Sequence, residues 1–201
     1  ISTDYVFNGK KKSAYNEEDT PKPISNYGLT KYLGDQRIIN NTSKYIILRV
    51  AWLYGAFGNN FLKKIIDFVQ LNESIKVVND QVAFPTDSHQ LSKDIWRVLK
   101  ILSESSDRSY YFGLYNYAPS HKVVSRYTFV KAILKYGISY GLKSKQIIQI
   151  SHSDLENSKI RPKNSCLNSS KFNKKFNLKK TYWKSNLKEA LQIFFNMKFK
   201  N

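Results

Sequence analysis

Several features that point to particular classes of protein are missing from this 201-residue sequence. It has one cysteine, Cys166, so no disulfide can form within the chain, and a reducing compartment such as the cytoplasm is expected. Its longest apolar run, residues 45–55, is interrupted by Arg49 and is far shorter than the roughly 20 residues that a membrane-spanning helix needs. Its three histidines are distant from one another in the sequence. We therefore expect neither a membrane span nor a zinc site.

Acidic residues are scarce, because 15 Asp and Glu stand against 33 Lys and Arg, which gives a net charge of +18. A field of this sign attracts nucleic acid, anionic lipid or phosphorylated metabolites. However, 27 of the basic residues are lysine, which is poorer than arginine at bidentate recognition of phosphates and bases. With 18 Asn and 18 Ile, this composition favours drift of an A/T-rich coding sequence over a nucleic-acid-binding surface.

The rest of the composition, with 41% apolar and 14% aromatic residues, is that of a globular protein with a sizeable core. Residues 1–7 predict a strand, residues 25–39 a helix with Ser25 or Asn26 as its N-cap, and residues 45–54 a strand buried on both faces. This order is typical of a βαβ unit in a parallel sheet, so the predicted fold class is α/β. Further along, the pattern predicts helices over 61–71, 88–102, 125–136 and 187–199, strands over 75–78, 113–117 and 146–150, and a loop over 151–183.

One pair of residues in the first predicted helix suggests chemistry. Tyr27 and Lys31 are four residues apart, so they lie on one face of a helix with Cβ atoms roughly 5–6 Å apart. A nearby ammonium group favours the phenolate form of a tyrosine, which makes the phenol a better proton donor to a carbonyl oxygen. Thr3 stands at the end of the first predicted strand, where open α/β sheets bind ligands, and can hold the same oxygen. Tyr and Lys at this spacing are also common as packing and solvated residues, so the pair alone does not identify a function.

A series of motifs accompanies this pair along the chain. They are Ser2-Thr-Asp-Tyr-Val-Phe7, Tyr27-Gly-Leu-Thr-Lys31, Leu48-Arg49-x-x-Trp52-x-Tyr54-Gly55, Gly58-Asn-Asn-Phe61, Asp80-Gln81-x-x-x-Pro85-Thr86 and Arg161-Pro162-x-Asn164-Ser165. With this series, the chain resembles the extended short-chain dehydrogenase/reductase family, in the branch that reduces dTDP-linked 4-keto-6-deoxysugars. The resemblance implies the C-terminal part of a Rossmann-type doubly wound sheet, with its catalytic residues, over residues 1–55. It implies a small mixed α/β lobe that binds a nucleotide-sugar over residues 56–201.

The resemblance also implies roles for the Tyr, Lys and Thr side chains. Tyr27 would protonate the C4 oxygen of the substrate as hydride arrives from the nicotinamide, and Lys31 would hold the nicotinamide ribose and make Tyr27 more acidic. Thr3 would hydrogen-bond the substrate oxygen. The implied cofactor is NADPH, with NADH tolerated, and the implied reaction reduces dTDP-4-dehydro-6-deoxy-L-mannose to dTDP-L-rhamnose. The resemblance leaves room for a Mg²⁺ ion, with no ligands identified, and for a homodimer.

Four further residues are assigned to substrate binding by the same resemblance. Trp52 would form part of the wall around the sugar, and Asn60 and Phe61 would lie in the lobe that closes on the nucleotide-sugar. Arg161 would contact the diphosphate, because a guanidinium group suits bidentate phosphate contacts. Trp52 and Phe61 fit equally well as core aromatics, and Asp80 is expected to order a loop instead of contacting a ligand.

Three positions depart from the family pattern, and one motif is absent. Arg126 stands where a tryptophan is usual, Ala83 where a glycine is usual, and Lys159 where a small residue is usual. The eight glycines form no Gly-rich turn that could cradle the pyrophosphate of a dinucleotide. Because the chain also begins at Ile1 within a predicted strand, we expect it to be the C-terminal part of a longer enzyme and to be inactive alone. Two alternatives are a non-catalytic regulatory relative that binds the same ligands and, less favoured, a basic nucleic-acid-binding protein.

Overall fold

The computed structural model describes residues 1–120, 122–143, 145–154 and 160–198, with only the backbone described for Lys198. Lys159 and Phe199, the last residue of the predicted terminal helix, lie outside the described residues. Over the described ranges the fold is mixed α/β with parallel sheets, which confirms the predicted fold class. No described helix is both long and apolar enough to cross a membrane.

The first four of the six helices in the described chain follow predicted helices closely. The six helices are α1 (Asn26–Asn41), α2 (Phe61–Leu71), α3 (Ser88–Glu104), α4 (Arg126–Gly137), α5 (Ser170–Lys175) and α6 (Trp183–Lys198). The first four begin after a side chain whose oxygen accepts a free backbone N–H of the first turn. These N-caps are Ser25, Asn60, Asp87 and Ser125.

The central sheet is parallel and has the strand order β1 (Ser2–Thr3), β2 (Ile46–Val50) and β7 (Gly113–Asn116). The last four residues of β2 are buried, as expected for a strand covered on both faces. The shorter strands form smaller sheets beside it. In parallel, β3 (Leu53–Tyr54) pairs with β6 (Thr86–Asp87), β4 (Ser74–Val78) with β9 (Gln146–Ile150), and β5 (Val82–Ala83) with β10 (Asn164–Ser165), while β8 (Val124–Ser125) runs antiparallel to β5.

The strand predicted for residues 1–7 is wrong after Thr3. The Thr3 hydroxyl accepts a hydrogen bond from the Tyr5 backbone N–H, 3.2 Å away, and caps a 3₁₀ turn over Asp4–Val6. The turn replaces the predicted extended segment because a threonine oxygen competes with a sheet partner for the backbone donor.

The strand predicted for residues 45–54 is also interrupted. β2 ends at Val50, and Trp52 adopts a φ of 45°, which redirects the chain so that β3 pairs outside the central sheet. The loop predicted for 151–183 is wrong as well, since it contains β10 and α5 and since α6 begins at its end, at Trp183. These short elements lack the periodicity that identifies longer ones.

A buried ion pair and a close backbone contact position α1 on the central sheet. Asp35 of α1 accepts hydrogen bonds from Arg49 Nε of β2 at 3.4 Å and from Ser2 Oγ of β1 at 2.8 Å, and both charged side chains are almost fully buried. At Gly28, a Cβ atom would overlap the carbonyl oxygen of Tyr5. The absence of a side chain at Gly28 therefore lets α1 approach the turn that follows β1.

The largest core lies among α2, α4 and α6. Phe129 is 1% exposed and contacts three other aromatic rings, with centroid distances of 5.0 Å to Tyr54, 6.0 Å to Phe61 and 6.0 Å to Trp183. Such pairs add about 0.5–1.5 kcal/mol each beyond the area they bury. This core fixes the ends of α2 and α4 that face the site.

Candidate active site

A cavity of about 880 Å³ is lined by residues from β1, β2, α1, α2 and α4 and from the segment before β10. Its volume lies within the range of small-ligand sites, roughly 300–1,000 Å³. All seven residues singled out in the sequence line it, namely Thr3, Tyr27, Lys31, Trp52, Asn60, Phe61 and Arg161. The structure thus brings these residues together, and the role of each stays a prediction.

Thr3 lies at the carboxyl end of β1, at the base of the cavity. Its side chain is 5% exposed, accepts from Tyr5 N–H and donates its hydroxyl proton to Asp4 Oδ1 at 3.2 Å. A hydroxyl has one proton to donate, so Thr3 can hold a substrate oxygen as a donor only by releasing Asp4.

Tyr27 and Lys31 project from the first two turns of α1. Ser25 Oγ accepts the backbone N–H of Gly28 at 3.1 Å and starts the helix at this point. The Tyr27 ring is 55% exposed and meets the Tyr5 ring edge-on, with centroids 5.5 Å apart. Lys31 Nζ donates to the carbonyl oxygen of Ile1 at 2.8 Å. Both side chains are therefore open to a ligand in the cavity.

Another part of the cavity lining is an aromatic and cationic cluster. The Arg126 guanidinium lies 4.2 Å from the Trp52 ring centroid and 4.7 Å from that of Phe61, within cation–π range. Trp52 holds a left-handed backbone conformation, φ 45°, which costs a bulky residue on the order of 1–3 kcal/mol. Strain of this kind clusters at functional sites, and Trp52 is one of the residues that line the cavity.

Asn60 uses its amide to shape the loop before α2. Its Oδ1 accepts from Leu62 N–H at 2.9 Å, and its Nδ2 donates to the carbonyl oxygens of Gly55 and Phe57, each at 2.9 Å. Asn60 lines the cavity, but its hydrogen-bonding capacity is largely used by the backbone. A direct contact with substrate stays a prediction for this residue.

The sequence profile of the family described as "RmlD substrate binding domain" matches residues 1–196. The chain belongs to this family. It is 30% identical over 190 residues to a dTDP-4-dehydrorhamnose reductase of Aggregatibacter actinomycetemcomitans, and the alignment covers 94% of this chain and 64% of that protein. It is 32% identical over 192 residues to the spore coat polysaccharide biosynthesis protein SpsK of Bacillus subtilis, covering 96% of this chain and 62% of that protein. The chain therefore spans less than two thirds of the length of these relatives.

Among solved structures, the chain is also similar to dTDP-4-dehydrorhamnose reductases. The dTDP-4-dehydrorhamnose reductase of Bacillus anthracis, solved in complex with NADP, matches with a TM-score of 0.82 and 31% identity over 95% of this chain and 63% of that one. The Clostridium acetobutylicum orthologue matches with a TM-score of 0.81 and 31% identity over 96% of this chain and 64% of that one. A dTDP-glucose 4,6-dehydratase of B. anthracis, at 16% identity and a TM-score of 0.73, shares the fold.

In this member of the RmlD family, the base of the cavity carries an unusual carboxyl group. Asp4 is 3% exposed, and its Oδ2 has no hydrogen-bond partner among the described residues. Burial raises the pKa of Asp4 to about 6, against the nearby hydroxyls of Ser165 and Thr3 and the charge of Arg126, which lower it. Burial likewise raises the pKa of Tyr5. The cavity floor is thus a poor environment for negative charge on the protein itself.

Arg126 was singled out in the sequence only as a departure from the family pattern, with no role attached. Burial, followed by the charge of Arg161, lowers the pKa of Arg126 to about 10, so the side chain stays protonated near neutral pH. The signal in the sequence was the replacement of an expected tryptophan, but its position against Trp52 and Phe61 depends on packing between distant segments. Asp4 and Tyr5 belong to the motif Ser2-Thr-Asp-Tyr-Val-Phe7, and no feature of that motif marks them as cavity residues.

The other motif residues order the loops around the site. Asp80 accepts from His152 N–H at 3.0 Å and pairs with Lys163 at 3.3 Å, as its expected structural role requires. Asn164 Nδ2 donates to the carbonyl oxygens of Lys11 and Ser13.

Across the described ranges, no group of three or more His, Cys, Asp or Glu side chains is placed to hold a metal ion.

Proposed function

We propose that this chain supplies the proton donor and the substrate-binding lobe of a reductase that converts dTDP-4-dehydro-6-deoxy-L-mannose to dTDP-L-rhamnose with NADPH, in the cytoplasm. The observation that carries the proposal is the meeting of Thr3, Tyr27 and Lys31 in one cavity with Trp52 and Phe61. The names of the relatives from A. actinomycetemcomitans and B. anthracis support it. Because the chain spans less than two thirds of those relatives, the activity is proposed for a protein of their full length.

The residues present fit one end of a nicotinamide dinucleotide. Tyr27 and Lys31 are open to the cavity, and Lys31 already uses one of its three donors on the Ile1 carbonyl, which leaves two for ribose hydroxyls. A Gly-rich turn for the pyrophosphate is absent from the sequence. The proposal therefore assigns the rest of the cofactor site to the part of the relatives that this chain does not cover.

The chain's own residues would add the proton in this reaction. When bound, NADPH supplies a hydride to C4 of the sugar. The Tyr27 hydroxyl donates a proton to the C4 oxygen, so that hydride and proton together convert the ketone to an alcohol, and Lys31 stabilises the phenolate that remains. Thr3 rotates its hydroxyl from Asp4 to the same oxygen and holds it at the end of β1.

The lobe would hold the remainder of the nucleotide-sugar. Trp52 and Phe61 provide an apolar wall for the sugar, and the Arg161 guanidinium provides a bidentate partner for a phosphate. Trp52 and Phe61 also pack against the largest core, so the wall is rigid before a ligand arrives. A rigid wall reduces the ordering cost of binding.

The experiment is an NADPH oxidation assay with substrate generated in situ. We would join Ile1 of this chain to the part of the B. anthracis reductase that this chain does not cover, since that relative was solved with NADP. We expect the chimera to turn over. Tyr27→Phe should reduce its kcat about 10²–10⁴-fold, because general acids contribute on this scale. Tyr32→Phe, on the same helix but away from the cavity lining, is the matched control and should leave kcat unchanged.

Two results would contradict the proposal. A chimera that binds NADPH but does not turn over would favour the non-catalytic regulatory alternative. Equal kcat values for Tyr27→Phe and the parent chimera would remove Tyr27 from the reaction. A homodimer is a separate part of the proposal and is checked by the mass of the chimera in solution.

A further inference from the structure

We infer that Arg126 is a specificity-determining residue that binds, together with Arg161, the diphosphate of the nucleotide-sugar. The inference rests on the proposed function for the identity of the ligand, and it extends that function to a residue that neither a sequence motif nor the family match gives a role. It is carried by the position, the free donors and the uncompensated charge of the Arg126 side chain.

The first observation is that the Arg126 guanidinium is held in a fixed orientation. Its Nε donates to Gln81 Oε1 at 3.2 Å, and the Arg126 backbone N–H donates to the Gln81 carbonyl oxygen at 3.1 Å. The planar group also lies against the Trp52 and Phe61 rings, at 4.2 and 4.7 Å from their centroids. A guanidinium oriented before a ligand arrives loses little conformational entropy on binding.

The second observation concerns the donors that remain. Arginine has five N–H donors, and the Gln81 contact uses the one on Nε. Within residues 1–120, 122–143, 145–154 and 160–198, no acceptor is hydrogen-bonded to the terminal nitrogens of Arg126. Arg126 lines the cavity, so these four N–H groups are available to a ligand there.

The third observation is the charge balance of this part of the cavity. Arg126 and Arg161 both line it and repel each other, which makes the pair costly without an anion. In the described parts of the chain, no carboxylate forms an ion pair with either guanidinium. Asp4 is the carboxyl group whose charge acts on Arg126, and it supplies at most one negative charge against the two positive ones. A diphosphate brings two or more negative charges and planar sets of oxygens that match paired guanidinium groups.

The test compares ligands with and without the diphosphate, using calorimetric titration of the 201-residue chain. Arg126→Gln should weaken the binding of thymidine 5′-diphosphate by about tenfold or more, the scale of hydrogen bonds to charged groups, and change thymidine binding by less than about twofold. Arg126→Lys should fall between, because lysine keeps the charge and loses the planar, stacked fork. Lys64→Gln removes one positive charge from the cavity lining without a stacked contact, so it is the matched control, with a small effect expected.

Several outcomes would overturn the inference. The first is an unchanged affinity of Arg126→Gln for thymidine 5′-diphosphate, and the second is no binding of either ligand by the parent chain. The third is an equal loss of affinity for thymidine, which would mean that Arg126 only supports the aromatic wall. A loss confined to NADP, tested in parallel, would assign the guanidinium to the cofactor's phosphates and also overturn it. Arg126→Trp, the residue usual in the family, tests the same loss while keeping an aromatic stack.

The inference and the proposed function can fail separately. If thymidine 5′-diphosphate binding depends on Arg126 but the chimera shows no turnover, the inference stands and the reaction is wrong. If the chimera turns over with a KM that Arg126→Gln does not change, the reaction stands and the inference is wrong. The KM of the chimera is the deciding value, because a residue that binds the diphosphate in both ground and transition states raises KM more than it lowers kcat.

Discussion

One wall of the cavity depends on supports outside it, whereas the other is continuous with a core. The first, which we call the catalytic wall after the roles proposed for its residues, consists of Thr3, Tyr27 and Lys31. Tyr27 is 55% exposed and meets the edge of the Tyr5 ring, and Lys31 reaches back to a backbone carbonyl. Thr3 is buried and hydrogen-bonded to Asp4 and Tyr5, but few contacts fix the side chains of Tyr27 and Lys31, so the wall is only as precise as the placement of β1 and α1.

The second, the lobe wall, consists of Trp52, Phe61 and Arg126. Phe61 stacks on Phe129 at a centroid distance of 6.0 Å, and Phe129 packs in turn on Trp183 in the core of α2, α4 and α6. The Arg126 guanidinium closes the cluster from the cavity side. This wall is held by its own packing.

The difference separates what a motif reveals from what packing decides. In the catalytic wall, the spacing of Tyr27 and Lys31 has a chemical meaning that can be recognised before the fold is known. The lobe wall brings together residues 52, 61 and 126, and its most unusual member is an arginine. Its arrangement depends on contacts between distant segments, for which one sequence holds little signal.

The largest effect on the comparison should come from Asp35→Ala, which removes the support of the catalytic wall. The change leaves Arg49 buried and unpaired and deprives Ser2 of its acceptor, so we expect a loss of about 3–5 kcal/mol in the free energy of unfolding, measured with urea. The double variant Asp35→Leu/Arg49→Met removes both charges and should recover most of the loss. A loss below about 1 kcal/mol for Asp35→Ala would show that α1 does not depend on this pair.

Asp4, at the base of the cavity beside Thr3, should make stability depend on pH. Its pKa of about 6 in the folded chain is above the ordinary 3.8, so the folded state holds the proton more tightly than the unfolded state does. Stability from this group is therefore fully present below about pH 4 and is lost as the pH rises through about 6, by on the order of 3 kcal/mol.

The measurement for Asp4 is the difference in unfolding free energy between Asp4→Asn and the parent chain across pH 4 to 7. The difference isolates Asp4 from other carboxylates such as Asp19 and Asp80, whose lowered pKa values give the opposite pH dependence. Asp4→Asn should gain on the parent as the pH rises. A difference that stays constant with pH would place the Asp4 carboxyl in a more polar setting than the structure gives it.

A pair of glycines in α1 should distinguish close packing from helix propensity. Gly28→Ala places a methyl group on the Tyr5 carbonyl oxygen and should cost about 1–3 kcal/mol by overpacking, although alanine favours a helix interior. Gly34→Ala meets open space on the same helix and should instead stabilise the chain by about 0.5–1 kcal/mol. Equal effects of the two changes, read from urea midpoints, would mean that α1 does not pack closely on the turn after β1.

Much of the fold follows from local patterns, and the exceptions have physical causes. α1 and α2 were predicted because apolar residues recur at helical spacing, and Ser25 was one of two N-cap candidates for α1. The break in the predicted strand 45–54 was not, because a positive φ at Trp52 is imposed by its surroundings and a tryptophan gives no sign of it. All seven candidate site residues could be named from motifs, whereas the role proposed for Arg126 rests on its neighbours in space.

The smallest loss of stability should come from Asn60, where the lobe wall begins. Asn60→Ala removes the N-cap of α2 and frees the Gly55 and Phe57 carbonyl oxygens, so we expect about 1–2 kcal/mol of destabilisation in urea unfolding. Asn60→Asp keeps the oxygen that accepts from Leu62 N–H but loses the amide donor, and should cost less than Asn60→Ala. If the aspartate variant were as unstable as the alanine variant, the loop carbonyls and not the helix cap would account for the role of Asn60. In that case the lobe wall, like the catalytic wall, would depend on a support that lies outside its own packing.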